Sequence, residues 1–232
     1  MVARDDPALV FDVNVGGTLN LLEAMRHERV PQLVHLSSIA VYRARDDRAP
    51  VPETSALGSS EPYGASKIAA EQIVAAYARD GLGAWCLRIG SIFGAERTSP
   101  YLIAEVIAAG LHGSKVEVTD ETSNLRQFVH LDDVLNAIEL ALARPANGMR
   151  TANITGGTYV SEQQIAGFVA TELPALSLDL VQAKAELADG NLGPLDLTVA
   201  RSELAYEPRS NLEREVRALA RAARSALAGP SV

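Results

Sequence analysis

The 232-residue sequence contains a single cysteine, Cys86, so the chain cannot form a disulfide bond within itself. No uninterrupted apolar run approaches the roughly 20 residues that a membrane-spanning helix needs. Residues 1–15 carry Asp5, Asp6 and Asp12, whereas a secretory signal peptide starts with basic residues followed by an apolar core. These absences predict a cytoplasmic chain with no membrane anchor.

The sequence is also short of positive charge, with 21 Lys and Arg against 29 Asp and Glu and a formal net charge of −8. An excess of negative charge argues against binding nucleic acid or an anionic membrane through bulk electrostatics. Apolar residues make up 47% of the chain and charged residues 22%, which is enough to build one sizeable core. The composition therefore fits a soluble globular chain with one core.

The feature that carries most chemistry is Tyr63-Gly-Ala-Ser-Lys67, with Ser38 located upstream at the end of an apolar segment. On a helix, residues four apart lie on one face, and a lysine ammonium beside a phenol favours the phenolate. A hydroxyl such as that of Ser38 can then hold a substrate oxygen while Tyr63 moves the proton. This set predicts chemistry between an alcohol and a ketone, which requires a cofactor that accepts hydride. The alternative is a chance Tyr-x-x-x-Lys on a solvated helix face.

The flanking sequence favours the first interpretation, because apolar patterns predict alternating helices and strands typical of a parallel α/β sheet. Helices are predicted at 6–27, 62–79, 100–111 and after His130, and strands at 32–37, 84–89 and 115–118. Ser161 and Ser210 each begin a capping-box pattern, and Asp132 and Asp133 are expected to cap the helix after His130. The polar loop 43–60 is expected to be poorly ordered and to cover the site.

Five ordered motifs resemble those of the extended short-chain dehydrogenase/reductase family, in its branch of NAD-dependent sugar-nucleotide epimerases and dehydratases. They are Asn14-Val-Gly-Gly-Thr18, Leu36-Ser-Ser-Ile-Ala-Val-Tyr42, Glu61-Pro-Tyr-Gly-Ala-Ser-Lys67, Leu87-Arg-Ile-Gly-Ser-Ile-Phe-Gly94 and Arg126-Gln-Phe-Val-His-Leu-Asp-Asp133. Residues 196–217 are similar to the C-terminal signature of the family. On these motifs the chain is identified as a member of that family.

The resemblance implies a truncated Rossmann-like fold, a doubly wound parallel sheet with a small C-terminal α/β substrate lobe. Residues 1–95 would form the second half of a dinucleotide-binding domain with the catalytic helix. Residues 96–232 would form the rest of the sheet and the substrate lobe, in one interwoven unit. The family's Gly-x-x-Gly-x-x-Gly turn, which lets backbone amides approach the cofactor pyrophosphate, does not occur in this sequence. Binding of NAD or NADP is therefore expected to be weakened or lost.

The resemblance also assigns roles to residues. Ser38, Tyr63 and Lys67 would be catalytic. Asn14, Ser37 and Gly90 would contact the cofactor together with Tyr63 and Lys67, while Ser91 and Arg126 would contact the substrate together with Ser38 and Tyr63. For Asn14 the alternative is a helix-interior asparagine that bonds a neighbouring carbonyl, and for Arg126 the alternative is a surface ion pair. His130 is interpreted as structural, no metal ligands are assigned, and a homodimer is expected through the helices at 6–27 and 62–79.

Departures from the family pattern limit which reactions the chain could catalyse. In 4,6-dehydratases an Asp-Glu pair follows the catalytic hydroxyl, whereas this chain has Ile39 and Ala40, which cannot move a proton. A dehydratase is thus disfavoured, and epimerase and dehydrogenase both remain open. Ser91 replaces the family's asparagine and Gln127 an aspartate, so the substrate is either a sugar nucleotide or a related smaller hydroxyl or keto compound. A second hypothesis is that the chain is not an enzyme. It would then be a catalytically incompetent remnant or an interaction module, whose sheet presents an unpaired edge.

Overall fold

In the part of the chain that the structure describes, the central sheet consists of three parallel strands, β1 (Gln32–Ser38), β2 (Gly83–Ile89) and β6 (Met149–Ile154). Their order in the sheet is β1-β2-β6. The computed structural model describes residues 6–45, 47–119, 125–181 and 192–228. Residues 1–5, the first third of the stretch 1–15 that was expected to contain no signal peptide, lie outside that part. Every residue of β2 is buried, as expected for a strand covered on both faces.

Two smaller sheets follow in the chain. In one, β3 (Ser91–Phe93) runs parallel to β5 (Arg126–His130), which pairs antiparallel with β7 (Tyr159–Val160). In the other, β4 (Lys115–Thr119) runs parallel to β8 (Ser177–Val181). Because Gly90 alone separates β2 from β3, the chain passes directly from the central sheet into the second one. The predicted α/β class with parallel strands is confirmed.

Eight α-helices are found in the described residues. They are α1 (Pro7–Phe11), α2 (Gly17–Glu28), α3 (Pro62–Arg79), α4 (Leu102–His112), α5 (Leu131–Ala143), α6 (Glu162–Ala170), α7 (Thr198–Leu204) and α8 (Leu212–Ala228). Helices α2 and α3 cover one face of the central sheet, where Leu22 and Val74 pack with Ala84. Helices α5 and α7 cover the other face. The result is a three-layer arrangement. No helix in the described ranges is long and apolar enough to cross a membrane.

The predicted helix at 6–27 is interrupted. A π-helical segment, Asp12–Gly16, joins α1 to α2. Asp6 caps the first of these helices, because its Oδ1 accepts a hydrogen bond from the Leu9 amide at 3.0 Å. A π turn accommodates one residue more than an α turn, and it is where Asn14 lies.

The helix starts were predicted with mixed success. Pro62 occupies the first turn of α3, and the capping box at Ser161 is formed in both directions with Gln164. The other two assignments were wrong. Asn211, not Ser210, caps α8, since its Oδ1 accepts from the Arg214 amide at 2.9 Å. For α5 the cap is the His130 side chain and not an aspartate.

The loop 43–60 was expected to be poorly ordered and to cover the site, but its part from Val51 onward is packed against the protein, and none of its described residues lines the cavity. Val51 is fully buried, and its amide donates to the Pro194 carbonyl at 2.9 Å. The Glu53 carboxylate accepts from the Asn153 amide on β6 at 2.8 Å. These bonds attach the loop to β6 and to the segment that precedes α7, away from the cavity described next.

Candidate active site

A cavity of about 700 Å³ opens at the carboxyl ends of β1 and β2, where ligands bind in open α/β sheets. It is lined by residues 36–40, at the end of β1 and just beyond it, and by residues 89–94, which run from the end of β2 through β3. Tyr63 and Lys67 line it from α3. Arg126 and Gln127 line it from β5. The cavity thus brings together residues from four separate parts of the sequence.

Tyr63 and Lys67 lie one helical turn apart on α3, and both face this cavity. The Lys67 Nζ lies 5.9 Å from the centroid of the Tyr63 ring and donates a hydrogen bond to the Leu36 carbonyl at 2.9 Å. Burial lowers the pKa of Lys67, although nearby Cys86 and Glu71 oppose the shift. Tyr63 is 38% exposed, so a ligand in the cavity can reach it.

Ser38 ends β1 and lines the same cavity. Its Oγ accepts a hydrogen bond from the Ala40 amide at 3.2 Å and so caps the short 3₁₀ helix Ile39–Val41. A hydroxyl that accepts one bond keeps its proton for donation to another oxygen. The three residues predicted to be catalytic are therefore brought to one cavity.

Gly64 determines how closely α3 approaches the segment that carries Ser38. A Cβ built at this position would lie 2.3 Å from the Ala40 carbonyl oxygen and 2.2 Å from the Ser59 Oγ. Both distances are far below any van der Waals contact, and the Ala40 oxygen belongs to backbone that cannot rotate away. Position 64 therefore accepts only glycine while the helix stays where it is.

The residues expected to contact the cofactor are distributed differently. Gly90 lines the cavity, but its amide is taken by the Ile154 carbonyl at 2.9 Å. Ser37 also lines the cavity, yet its hydroxyl donates to the buried Glu71 carboxylate. Asn14 does not line the cavity, and its Nδ2 donates to the Ser66 Oγ at 2.9 Å. This bond reaches a hydroxyl on α3, so it is not the bond to a neighbouring carbonyl given as the alternative for Asn14. A role toward a cofactor stays a prediction for all three residues.

Of the residues expected to contact the substrate, Ser91 and Arg126 both line the cavity. Arg126 forms an ion pair there, because its Nη2 donates to the Glu162 Oε1 at 2.9 Å. The Glu162 Oε2 accepts from both the amide and the hydroxyl of Thr119. Part of the Arg126 charge is thus balanced within the protein.

Gln127, which replaces the family's aspartate, has a structural role in this protein. Its Nε2 donates to the Gly193 carbonyl at 3.0 Å and its Oε1 accepts from the Leu195 amide at 2.6 Å. An aspartate is shorter and, when ionised, cannot donate, so it could not make both bonds. The Gln127 side chain therefore attaches the segment before α7 to the cavity wall. The sequence did not reveal this role.

A second group that the sequence did not reveal is a buried ion pair beneath the cavity. Arg88 on β2 donates to both oxygens of the Glu71 carboxylate, at 3.0 and 2.8 Å. Arg88 also donates to the Tyr42 hydroxyl and the Glu53 carbonyl. One signal was present, since an arginine within an otherwise apolar strand requires a buried partner. The partner itself lies on another element and could not be read from the pattern.

His35 lies on the same face of β1 as Ser37 and is almost fully buried. Burial and, to a lesser extent, the positive charge of Lys67 lower its pKa to about 4, and the Glu71 carboxylate opposes the change. Its Nε2 has no hydrogen-bond partner in the described residues. The imidazole is therefore neutral at physiological pH, and it adds no charge next to Lys67.

A sequence model of the NAD dependent epimerase/dehydratase family matches residues 1–155 of the chain. Among curated proteins, the UDP-glucose 4-epimerase of Streptomyces lividans is 31% identical over 176 residues. That match covers 68% of this chain and 53% of the epimerase. The chain thus spans about half the length of this relative.

Two solved structures are similar over most of the chain. The UDP-glucose 4-epimerase of Thermotoga maritima with UDP-glucose superposes with a TM-score of 0.86 and 25% identity, covering 97% of this chain and 74% of that one. MoeE5 in complex with UDP-glucose and NAD gives a TM-score of 0.80 with 28% identity, over 92% and 72% of the two chains.

Proposed function

The chain belongs to the NAD-dependent epimerase/dehydratase family, and from that premise we propose that it is an epimerase- or dehydrogenase-type oxidoreductase acting on a sugar nucleotide. The observation that carries the proposal is that Ser38, Tyr63 and Lys67 line one cavity at the carboxyl edge of the sheet. The similarity to proteins that bind UDP-glucose supports the substrate class.

In this proposal Tyr63, as a phenolate, takes the proton from a substrate hydroxyl. Lys67 favours the phenolate through its positive charge. Ser38 donates a hydrogen bond that holds the reacting substrate oxygen. In an epimerase the keto compound would turn over in the cavity before reduction, and in a dehydrogenase it would leave.

The residues fit the nicotinamide end of NAD or NADP. A lysine carries three donors, and the described residues occupy one of those of Lys67, at the Leu36 carbonyl. The remaining N–H groups can bind ribose hydroxyls at the cavity wall. When bound, the cofactor supplies the acceptor and donor of hydride. For the pyrophosphate end the sequence offers no glycine-rich turn, so weakened or lost cofactor binding stays a prediction.

The cavity wall next to Ser38 supports an epimerase or dehydrogenase over a dehydratase. Ile39 and Ala40 line the cavity where a dehydratase would need an acid and a base. Neither side chain can exchange a proton during loss of water. An epimerase or dehydrogenase needs only the Ser38, Tyr63 and Lys67 set.

The test compares Tyr63→Phe with Tyr77→Phe in the presence of NAD and UDP-glucose. Both tyrosines lie on α3, but Tyr77 is outside the cavity and bonds to Glu23. At NAD concentrations at which the unmodified protein turns over, we expect Tyr63→Phe to abolish formation of the epimerised or oxidised product, while Tyr77→Phe retains it. Turnover that survives in Tyr63→Phe would refute the assignment.

An interaction module remains the second candidate, and the edge of the sheet favours it. β1 is an end strand of the central sheet in the described part of the chain, and Leu36 on it is 42% exposed. An open edge of this kind can pair with another strand. A folded chain that binds neither NAD nor NADH in calorimetry, and that associates with itself in ultracentrifugation, would support this candidate. Self-association through α2 and α3, the expected dimer helices, is part of the same proposal.

A further inference from the structure

One cation of the cavity wall has no role in the proposed reaction. Arg97 follows the carboxyl end of β3 and lines the cavity near Gly94. The sequence motifs did not identify it, because it lies three residues beyond the Leu-Arg-x-x-x-x-x-Gly segment that ends at Gly94.

The Arg97 guanidinium is held in place by three contacts. It donates from Nη1 to the Ile92 carbonyl and from Nε to the Ser99 hydroxyl at 3.0 Å. Its central carbon lies 4.3 Å from the centroid of the Tyr101 ring, and the Tyr101 hydroxyl donates to the Gly94 carbonyl. A guanidinium fixed in this way loses little conformational freedom when it binds a ligand.

None of these partners carries a negative charge. In the described ranges Arg97 makes no ion pair, and Glu96, which lines the cavity beside it, does not pair with it. Arg126 differs, because Glu162 balances its charge through Nη2 at 2.9 Å, while its buried Nε has no partner in the described residues. Partial burial also lowers the pKa of Arg97, which reflects the cost of removing this charge from water. An anionic ligand would offset that cost.

We propose that Arg97 binds an oxyanion group of the substrate and contributes more to that binding than Arg126 does. The inference rests on the proposed function, since it places the anion of a sugar nucleotide in the same cavity. Two groups share this chemistry, namely the diphosphate and a carboxylate on the sugar. A guanidinium binds either of them through parallel N–H donors.

The experiment measures binding by calorimetry with three probes, which are inorganic pyrophosphate, UDP-glucose and UDP-glucuronic acid. The variants are Arg97→Met, Arg126→Met and the control Arg201→Met, which removes the same charge from an exposed site paired with Glu207. Loss of a charged hydrogen bond predicts that Arg97→Met weakens binding by about 10- to 100-fold, and Arg126→Met by less.

The three probes distinguish the two sources of the anion. Equal weakening for pyrophosphate and both nucleotides in Arg97→Met would place the diphosphate at Arg97. Weakening confined to UDP-glucuronic acid would place the sugar carboxylate there. Arg97→Lys keeps the positive charge but not the parallel N–H donors of the guanidinium, so it should retain part of the affinity that Arg97→Met loses. It also replaces Arg97→Met as the test variant if the latter does not fold.

Two results would overturn the inference. One is an affinity of Arg97→Met for every probe equal to that of the Arg201→Met control. This includes the case in which no probe binds the unmodified protein. The other is a larger loss in Arg126→Met than in Arg97→Met. Failure of the proposed function is a separate result, since it would leave the Arg97 dependence of binding intact while UDP-glucose gave no Tyr63-dependent product.

Discussion

The buried pair of Glu71 and Arg88 leads to a quantitative prediction about stability. The Glu71 side chain is 1% exposed and that of Arg88 is 6% exposed, so removing either partner leaves a charge in the interior without compensation. Breaking a buried ion pair from one side costs about 3–5 kcal/mol. In a chain of this length each kcal/mol corresponds to about 2–4 °C in melting temperature. Glu71→Met should therefore lower the melting temperature by about 6–20 °C.

The measurement is urea and thermal unfolding followed by the fluorescence of Trp85, the single tryptophan, which is buried on the same strand as Arg88. The control is the double variant Glu71→Met/Arg88→Met. Because an apolar pair of similar volume leaves no buried charge, the double variant should be more stable than either single variant. A double variant that loses the sum of the two single effects would refute the reasoning.

The pH dependence of the same pair has a defined sign. Burial raises the pKa of Glu71, but the hydrogen bonds from Arg88 and Ser37 outweigh this effect and hold the pKa below its ordinary value. A depressed carboxyl pKa stabilises the folded state above the unfolded pKa, and this contribution is lost as the pH falls through the folded value. The stability difference between the unmodified protein and Glu71→Met should thus shrink in acid. A difference that grows in acid would contradict the sign.

Two further predictions concern single side chains. The pKa of His35 is about 4 in the folded protein, against 6.5 for an unperturbed histidine in the unfolded chain. The unfolded state therefore binds more protons than the folded state between pH 6.5 and 4. The free energy of unfolding should fall by about 3 kcal/mol as the pH drops through this window. In His35→Leu, the free energy of unfolding measured in urea at several pH values should depend less steeply on pH. An unchanged pH dependence would show that His35 is not its source. Ser161→Ala should cost about 1 kcal/mol in urea unfolding because it removes a formed capping box, whereas Ser210→Ala should stay within about 0.5 kcal/mol. Equal losses at the two serines would contradict the assigned caps.

Local sequence signals predicted the elements that depend on local physics. Pro62 and the helix-forming residues after it define α3, and the predicted bounds of 62–79 are those observed. The apolar run in β2 likewise identifies a strand that is buried on both faces. Bringing Ser38 next to this helix followed from a general rule, because parallel strands present their carboxyl ends at one edge.

The features that the sequence did not predict depend on partners distant in the chain. Gln127 bonds to the backbone of residues 193 and 195, and Arg126 pairs with Glu162 at the start of α6. No local pattern encodes such contacts, because the two partners are chosen by the way the elements pack. The loop 43–60 was misjudged for the same reason, since its polar composition gives no sign of the bonds that attach it to β6.

The close approach at Gly64 has a consequence for protein design. A side chain at this position would need to move from 2.3 Å to at least 3.4 Å from the Ala40 oxygen, which would shift α3 by about 1 Å. Misplacing a reacting group by about 1 Å can reduce a rate by about 100-fold. A designer who transfers Ser38, Tyr63 and Lys67 to another scaffold would therefore have to transfer the glycine as well. In this protein the smallest residue sets the distance between α3, which carries Tyr63 and Lys67, and the segment that follows Ser38.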